Sequence, residues 1–527
     1  MANKSLFKSL AGKLAPKADT RNEAGGTAYA FDARHALAQY AATGTLNGTF
    51  YASAHDQLET VLGLCGQVES EFIARTALYT RTHGYMKDLP ALLCAVLSVR
   101  GPGLLAEVFD RVIDSPKMLR NFVQIMRSGV VGRKSLGSLP KRLIVDWLDK
   151  RTDAQVFFGS VGNDPSLADI IKMVHPKPAN ASRDALYGYL IGRPIDREAL
   201  PEIVKQFEAY KSAKDRRGLA MPDVPFQMLT GLDLADWEWK AIARQAPWQM
   251  TRMNLNTFAR HGVFGDQKLT RTIANRLRDV DQVRKARCFP YQLLMAYGMS
   301  DALPHLVREA LQDAMEAALE NVPAIDGRVI VCPDVSGSMH SPATGYRKGA
   351  TSAVRCIDIA GLVAAALLRK NPGTLVLPFE SDVVTGPGAR LNPRDSVMTN
   401  ARKLASLPSG GTNCSAPLRY LNQRKEHGDL VVYVSDNESW IDTPRYGYFG
   451  GGATETMRQW ELFKQRNPAA KMVCIDIQPY GHTQAKEREE ITNVGGFSDQ
   501  VFKIIAAAAN GQSTRGRWVS QVEAMTL

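Results

Sequence analysis

The feature that most constrains the fold is a change in periodicity at Ile325-Asp326-Gly327. Before it, apolar side chains recur at three- and four-residue steps with Gly or Pro between the runs, which is typical of short helices. About 300 residues of short helices seldom form one bundle, so they favour a stacked helical solenoid, although no clean fixed period occurs. After it, strand-like and helical runs alternate, which predicts a doubly wound α/β domain.

The 527 residues therefore divide into an N-terminal segment 1–22, a helical domain 23–325 and an α/β domain 326–527. Short β-branched runs buried on both faces, as in a parallel sheet, predict the strands of the last domain. The binding site is expected at the carboxyl ends of those strands. The predicted strands are 328–332, 374–379, 430–434 and 471–477, and the helices between them are 353–368, 416–425 and 455–465.

Composition excludes several classes of protein. Apolar residues make up 45% and charged residues 22%, which is the mixture of a soluble globular protein. The longest uncharged apolar runs hold about a dozen residues, fewer than a bilayer span needs. Seven scattered cysteines without a CxxC pair argue against a disulfide framework or a zinc ribbon. Because the N-terminus also lacks a secretory signal, a cytoplasmic location is expected.

The net charge of +12 is spread along the chain, so local clusters carry more information. Residues 115–145 hold seven basic side chains and no acid, and residues 250–291 hold nine with three acids. Such stretches suit a polyanion-binding surface, and solvated helix faces are the alternative. Five aromatic side chains could stack on bases there, although buried helix aromatics are more common. They are Phe122, Phe258, Phe264, Phe289 and Tyr291.

The sharpest motif follows the first strand of the α/β domain. Cys332-Pro333-Asp334-Val335-Ser336-Gly337-Ser338-Met339 places three short oxygen-bearing side chains in alternation. Two later strand-end loops add Thr412 and Asp436. Carboxylates and hydroxyls suit Mg²⁺ or Mn²⁺ in octahedral geometry, with water and an open position for an acidic ligand. A serine-rich turn that caps a helix is the alternative.

Catalytic motifs are missing, so a binding protein rather than an enzyme is expected. The serines lack the Gly-x-Ser-x-Gly elbow, and His340 beside Ser338 is not by itself a triad. Neither a phosphate loop nor a dinucleotide glycine fingerprint occurs.

The Asp-x-Ser-x-Ser, Gly-Gly-Thr and later Asp resemble the metal-ion-dependent adhesion site of a von Willebrand factor A domain. With the helical part, the chain resembles the Ro autoantigen family, whose bacterial members are the Ro sixty-related proteins and whose shared module is the TROVE domain. The residues that carry this resemblance are Ala24-Gly25-Gly26-Thr27-Ala28-Tyr29, Gly48-Thr49-Phe50-Tyr51, Met126-Arg127-Ser128-Gly129, Gly132-Arg133-Lys134, 166–178, Asn254-Leu255 and Cys288-Phe289-Pro290.

The resemblance implies a toroid of HEAT-like α-helical repeats closed by the A domain. It implies a monomer that binds Y-type small noncoding RNA outside and single-stranded 3′ ends of misfolded RNAs in the central hole. It also implies a role in RNA quality control, linked through RNA to a 3′ exoribonuclease of the polynucleotide phosphorylase type. Lys and Arg would hold phosphates without reading bases.

The first basic stretch supplies the candidates for phosphate contacts: Arg127, Arg133, Lys134, Lys141 and Arg142. Glycines 129, 132 and 137 would let the strand approach closely. The resemblance also places His175 where the family has an RNA-contacting histidine, and a helix cap is the alternative for it. The chain departs from the family at 157–163, where Phe157-Phe158-Gly159-Ser160-Val161-Gly162-Asn163 replaces basic residues.

Two other functions remain open at this stage. A metal-dependent protein-interaction module of the adhesion type would use the metal site and need no RNA. A ribonuclease would cleave RNA with Mg²⁺ and lose that activity in Asp334→Ala.

Overall fold

The computed structural model describes residues 15–43, 46–286, 288, 290–320, 322, 324–346, 354–441, 452–478, 480–497, 500–510 and 517–527. The chain forms two compact units, which divide it differently from the predicted domain boundaries. The larger unit is Met1–Val68 with Ala243–Ala524, and the smaller is Glu69–Ile242 with Met525–Leu527. The boundaries after 22 and 325 stay predictions, and residues 1–14 of the predicted N-terminal segment lie outside the described residues.

The larger unit begins with a short hairpin and two helices. Its first elements are β1 Thr20–Arg21, β2 Thr27–Ala30, α1 Ala33–Thr43 and α2 Ala54–Gln67.

The smaller unit is helical, as predicted. Its early helices pack on the next helix, on the next but one, or on both, which is the pattern of stacked helical hairpins. Its helices are α3 Ser70–Thr82, α4 Asp88–Arg100, α5 Pro102–Val112, α6 Pro116–Ser128, α7 Ser138–Asp149, α8 Asp153–Phe158, α9 Leu167–Val174, α10 Ala181–Ile191, α11 Glu202–Ser212 and α12 Phe226–Leu229. The next helix, α13 Asp236–Gln245, crosses the division between the units.

Helix α6 shows how the sequence sets this packing. The Ser115 side chain accepts a hydrogen bond from the Met118 N–H, which caps the first turn, and Gly129 ends the helix at φ 85°. The buried face is Met118, Leu119, Phe122, Val123 and Met126, at three- and four-residue steps. Arg127 is exposed beside this face.

Helices of the larger unit lead into its α/β domain. They are α14 Trp248–Met253, α15 Leu255–Arg260, α16 Gln267–Arg278, α17 Val280–Ala286, α18 Pro290–Gly298 and α19 His305–Ala318. The first three helices of the α/β domain itself are α20 Cys356–Lys370, α21 Val397–Ala405 and α22 Ala416–Gln423. Helix α18 packs against α20, and α19 against α21. The strands are β3 Val329–Pro333, β4 Leu375–Val376, β5 Leu430–Ser435, β6 Lys471–Asp476, β7 His482–Thr483 and β8 Ile491–Gly495, and the last helices are α23 Glu455–Arg466, α24 Gln500–Ala509 and α25 Arg517–Glu523.

Five parallel strands form the central sheet in the order β4-β3-β5-β6-β8. This confirms the predicted doubly wound domain. Strands β3 and β5 are buried along their whole length, as the β-branched runs predict. The predicted strand 374–379 is shorter, since β4 is an edge strand of two residues and Pro378 has no N–H for the ladder.

Residues 15–30, which we call the N-terminal strap, also pack on this domain. Strand β2 pairs antiparallel with β7, so that Tyr29 lies opposite Thr483. Helix α1 packs on strand β8 at Gly495, where a Cβ atom would lie 1.9 Å from Gln39 Oε1 and 3.0 Å from Gln39 Cα. Only glycine permits this approach. No helix in the described part of the chain is long and apolar enough to cross a membrane.

Candidate metal centre and nucleic-acid interface

Three loops bring the five predicted metal ligands to one edge of the sheet. Two of them follow strands β3 and β5, whereas the third, which carries Thr412, joins helices α21 and α22 and does not follow a strand as predicted. Asp334 follows β3 and Asp436 follows β5, and both strands are neighbours in the parallel sheet. The Gly337 N–H donates to the Gly410 carbonyl at 2.9 Å, which ties the first loop to the Gly-Gly-Thr loop. All five side chains, Asp334, Ser336, Ser338, Thr412 and Asp436, are at most 4% exposed.

Asp334 is held by its own loop and by β5. Its Oδ1 accepts from the Ser336 N–H at 2.8 Å, and its Oδ2 accepts from the Ser435 hydroxyl at 2.6 Å. The Ser336 and Ser338 hydroxyl oxygens lie 3.3 Å apart. The alternating side chains therefore do point to one place, as the motif predicts.

Asp436 is the least satisfied of the candidate ligands. Its Oδ1 accepts from the Glu438 N–H at 3.3 Å, and its Oδ2 has no hydrogen-bond partner among the described residues. Burial raises the pKa of the Asp436 carboxyl. Burial, and then the charge of Asp436, raise the pKa of Asp334 to about 7. Two neighbouring buried carboxylates that form no ion pair with any residue the structure describes are what a divalent cation would neutralise.

Gly410 leaves room for an acid beside this loop. A Cβ atom on Gly410 would lie 1.9 Å from Glu380 Oε2. The Trp440 N–H donates to the Thr412 carbonyl at 2.8 Å, so the loop after β5 is fastened to the loop of Thr412.

Three polar residues beside these ligands, Asp476, Glu438 and His482, were not predicted as part of the site from the sequence. Asp476, at the end of β6, is fully buried, and neither carboxylate oxygen has a hydrogen-bond partner in the described part of the chain. Burial, and then the charge of Asp436, hold its pKa well above the usual range. Glu438 Oε1 lies 3.4 Å from His482 Nε2, and Glu438 Oε2 accepts from the Glu23 N–H of the N-terminal strap at 2.9 Å. Asp476 and His482 lie about 40 residues or more after Asp436 in sequence, so no local pattern predicts them, whereas Glu438 lies in the same loop as Asp436.

The donors fit a hard divalent cation. Within the described residues, no group of three His, Cys, Asp or Glu side chains could hold a metal ion. A site at this edge must therefore use hydroxyl oxygens with its two carboxylates, and Mg²⁺ and Mn²⁺ accept such ligands. Asp334, Ser336, Ser338, Thr412 and Asp436 would hold the ion, which would supply positive charge.

The predicted phosphate contacts surround one loop of the smaller unit. Arg127 ends α6, Lys134 lies in the loop 129–137, and Lys141 and Arg142 lie at the start of α7, all four exposed. None of these four forms an ion pair within the described residues. Gly129, Gly132 and Gly137 have φ of 85°, 86° and 75°, so the turn itself requires glycine at these positions.

Arg133 is placed differently from the other four. It is half-buried, its Nε donates to the Ser135 carbonyl at 3.1 Å, and a Cβ atom on Gly137 would lie 1.9 Å from its Nη2. Its guanidinium thus lies over Gly137 and holds the loop. Arg133 shapes the surface that the exposed cations line.

His175 lies at the carboxyl end of α9, a helix that contacts both α6 and α7. Its side chain is exposed, and its backbone caps α9 in the left-handed region at φ 51°. Arg127 acts electrostatically on Asp169, in the first turn of α9, whereas His175 lies at the other end of that helix. At 1.5 Å per residue the two ends are about 10 Å apart. The backbone of His175 therefore acts as the predicted helix cap. Its exposed imidazole ring is still accessible to a ligand.

The aromatic side chains proposed for base stacking are corrected in part. Phe122 and Phe258 are fully buried, because both lie on the core-facing side of their helices, so stacking on bases is wrong for them. Phe264 and Tyr291 are half-buried, and the Tyr291 ring packs edge-on against Phe497 with centroids 5.3 Å apart. Phe289 lies outside the described residues.

Comparison with known proteins gives matches to one family. A family model described as the Ro60 vWA domain matches residues 328–508. A protein of Deinococcus radiodurans named RNA-binding protein RO60 is 23% identical over 93% of this chain and 95% of its own length. A Caenorhabditis elegans protein of the same name is 25% identical over 50% of this chain and 40% of its own length.

The crystal structure of the Deinococcus radiodurans RO (RSR) protein matches with a TM-score of 0.61 at 20% identity, and the match covers 91% of this chain and all of that one. These matches confirm the resemblance to the Ro family and the fold class, in which a helical part accompanies a von Willebrand factor A domain. Closure of the helices into a ring stays a prediction.

Proposed function

We propose that this Ro-type chain is a non-catalytic RNA-binding protein. It holds Y-type noncoding RNA and takes single-stranded 3′ ends of misfolded RNAs, as a cytoplasmic scaffold for RNA degradation by a 3′ exoribonuclease. The observation that carries the proposal is the loop 129–137 with its flanking helix ends, where exposed cations without ion pairs in the described structure surround left-handed glycines. The names of the relatives support the same class of ligand.

The surface favours sequence-tolerant contact with phosphates. Exposed Lys and Arg side chains without acidic partners gain by releasing counterions from a polyanion. Phe122 lies in the core of this region, so it offers no base-stacking platform. Backbone contacts that do not read bases suit RNAs that share a free end and differ in sequence.

A salt titration tests this proposal. A structured RNA with a 3′ single-stranded tail is titrated by fluorescence anisotropy at several salt concentrations, with the unsubstituted protein and with the triple variant Arg127→Gln, Lys134→Gln, Lys141→Gln. Each phosphate contact to a single strand contributes about 0.7 to the slope of log K against log salt, so three lost contacts reduce the slope by about 2. Arg133 is kept, because its substitution would also release the loop.

The matched control removes the same charge elsewhere. Lys370→Gln, Lys425→Gln and Lys503→Gln change three exposed lysines of the A domain and are expected to leave the slope unchanged. An unchanged slope in the Arg127 triple variant, or an equal loss in the control, would refute the placement of the RNA. Cleavage of the RNA with Mg²⁺ that Asp334→Ala abolishes would instead support a ribonuclease.

We also propose that Mg²⁺ or Mn²⁺ is bound by Asp334, Ser336, Ser338, Thr412 and Asp436. The unpartnered Asp436 Oδ2 and the two buried carboxylates support it. Isothermal titration with Mn²⁺ is expected to give one site in the unsubstituted protein and none in Asp436→Ala. RNA affinity is expected to be nearly intact in that variant, because the phosphate-binding loop belongs to other elements of the chain.

A further inference from the structure

A tyrosine distant in sequence lies at the candidate metal site. The Tyr51 hydroxyl accepts a hydrogen bond from Trp440 Nε1 at 3.2 Å, and Trp440 leaves the loop of Asp436 and is tied to Thr412. Burial raises the pKa of the Tyr51 hydroxyl, the nearby charge of Asp436 raises it further, and a hydrogen bond with the Ser338 side chain acts in the opposite direction. The Tyr51 hydroxyl therefore lies close to residues of two of the loops that carry the candidate ligands, Trp440 in the loop of Asp436 and Ser338 in the loop of Asp334.

The segment that carries Tyr51 is fastened to the A domain. The Tyr51 ring packs edge-on against Tyr480 with centroids 5.6 Å apart, and the Tyr480 hydroxyl donates to Thr49 Oγ1 at 3.1 Å. The Tyr346 N–H donates to the Gly48 carbonyl at 2.9 Å. Asn47 Nδ2 donates to the Thr344 carbonyl at 2.9 Å. Residues 47–51 are thus held on the loop that follows Ser338.

An adhesion-type site works only if the ion keeps a position open to another molecule. In this chain the Tyr51 hydroxyl lies beside Ser338 and Asp436. A tyrosine hydroxyl, whose ordinary pKa is about 10, adds an oxygen ligand without adding charge at neutral pH.

We propose that Tyr51 closes the metal site from within, so that its hydroxyl takes the position at which an acidic group of another molecule would meet the ion. The inference rests on the proposed metal site and gives that site a new role. The ion then joins residues 47–51 to the strand ends of the A domain, and the site does not act in adhesion.

Relaxation of water protons by bound Mn²⁺ tests this inference, because it reports how many waters the ion keeps. The full-length protein is loaded with Mn²⁺, and relaxivity is measured with and without millimolar sodium acetate as the carboxylate probe. In the unsubstituted protein, acetate is expected to change nothing. In Tyr51→Ala the Mn²⁺ ion is expected to bind about one more water, which raises the relaxivity. Acetate is then expected to displace that water and lower the relaxivity again.

Two further variants keep the test sharp. Tyr51→Phe retains the ring and removes only the oxygen, and it is expected to raise the relaxivity as Tyr51→Ala does. Phe50→Ala removes an adjacent ring that is 48% exposed, and it is expected to behave as the unsubstituted protein. Circular dichroism confirms that each variant is folded.

The outcomes separate the two proposals. If the unsubstituted protein binds no Mn²⁺, the metal site itself fails, and the role of Tyr51 fails with it. If Mn²⁺ binds and acetate displaces water from the unsubstituted protein, only the closure by Tyr51 fails. A relaxivity of Tyr51→Phe equal to that of the unsubstituted protein would also overturn it.

Discussion

Replacement of Asp436 by Asn tests whether this edge of the sheet is built for a cation. Asp436 is 1% exposed, its Oδ2 is unpartnered within the described structure, and its charge raises the pKa of Asp334. Asn has nearly the same shape and no charge. An unsatisfied buried polar group costs about 1–3 kcal/mol, and more if it is charged, so Asp436→Asn is expected to stabilise the metal-free protein by about that amount.

The assay is thermal unfolding in EDTA and in a series of Mg²⁺ concentrations. For a domain of about 200 residues, 1 kcal/mol shifts Tm by about 2–4 °C, so a gain of about 1–3 kcal/mol should raise the Tm of the variant in EDTA by about 2–12 °C. The unsubstituted protein should gain about 2.7 kcal/mol when Mg²⁺ reaches 100 times its Kd, and the variant should gain nothing.

The control is Glu489→Gln, which removes the same charge from an exposed position of the domain. It should keep the full response to Mg²⁺. A variant Asp436→Asn that is less stable in EDTA than the unsubstituted protein would refute the reasoning, because the carboxylate would then be satisfied without an ion. An unchanged response to Mg²⁺ would refute the assignment of the ligand.

Three other predictions concern the framework of the site. Burial lowers the pKa of His35 from 6.5 to about 4. Because the unfolded chain then binds a proton at a higher pH than the folded protein does, the free energy of unfolding should fall by about 3 kcal/mol as the pH drops from 6.5 to 4. Urea unfolding at several pH values should show this dependence in the unsubstituted protein and a flatter one in His35→Gln. Asn22 Nδ2 donates to the Ser439 carbonyl at 2.8 Å, and Asn22 Oδ1 accepts from the Gly26 N–H at 2.7 Å. Asn22→Ala should therefore lower the free energy of unfolding in urea by about 1–3 kcal/mol. An unchanged free energy would show that the N-terminal strap does not hold the loop of Ser439. Trp460 is fully buried, so Trp460→Ala should cost about 3–5 kcal/mol by the same measurement, and a loss below 1 kcal/mol would contradict its place in the core.

The sequence allowed the metal-site motif to be predicted because its geometry is local. Asp334, Ser336 and Ser338 alternate after a buried strand, and parallel strands end at one edge of their sheet, so Asp436 after β5 must arrive near them. Periodicity placed the helices of the smaller unit for the same reason, since each helix buries its own apolar face.

Long-range contacts could not be predicted from local patterns. Tyr51 meets Trp440 across 389 residues, and Asn22 meets Ser439 across 417. Nothing in the short segments around Tyr51 or Asn22 identifies these partners. The aromatic side chains of the basic stretches show the same limit, because a helix such as α6 carries exposed Arg127 and buried Phe122 on different faces of one run.

The central claim is that exposed cations around residues 129–137 hold an RNA strand by its phosphates. The most direct measurement is photo-crosslinking of a structured RNA with a 3′ single-stranded tail to the purified full-length protein, with the crosslinked peptides identified by mass spectrometry. The account predicts that the tail crosslinks to peptides within residues 127–142 and that this pattern is independent of tail sequence. Crosslinks confined to other parts of the chain, or their absence at low salt, would contradict it.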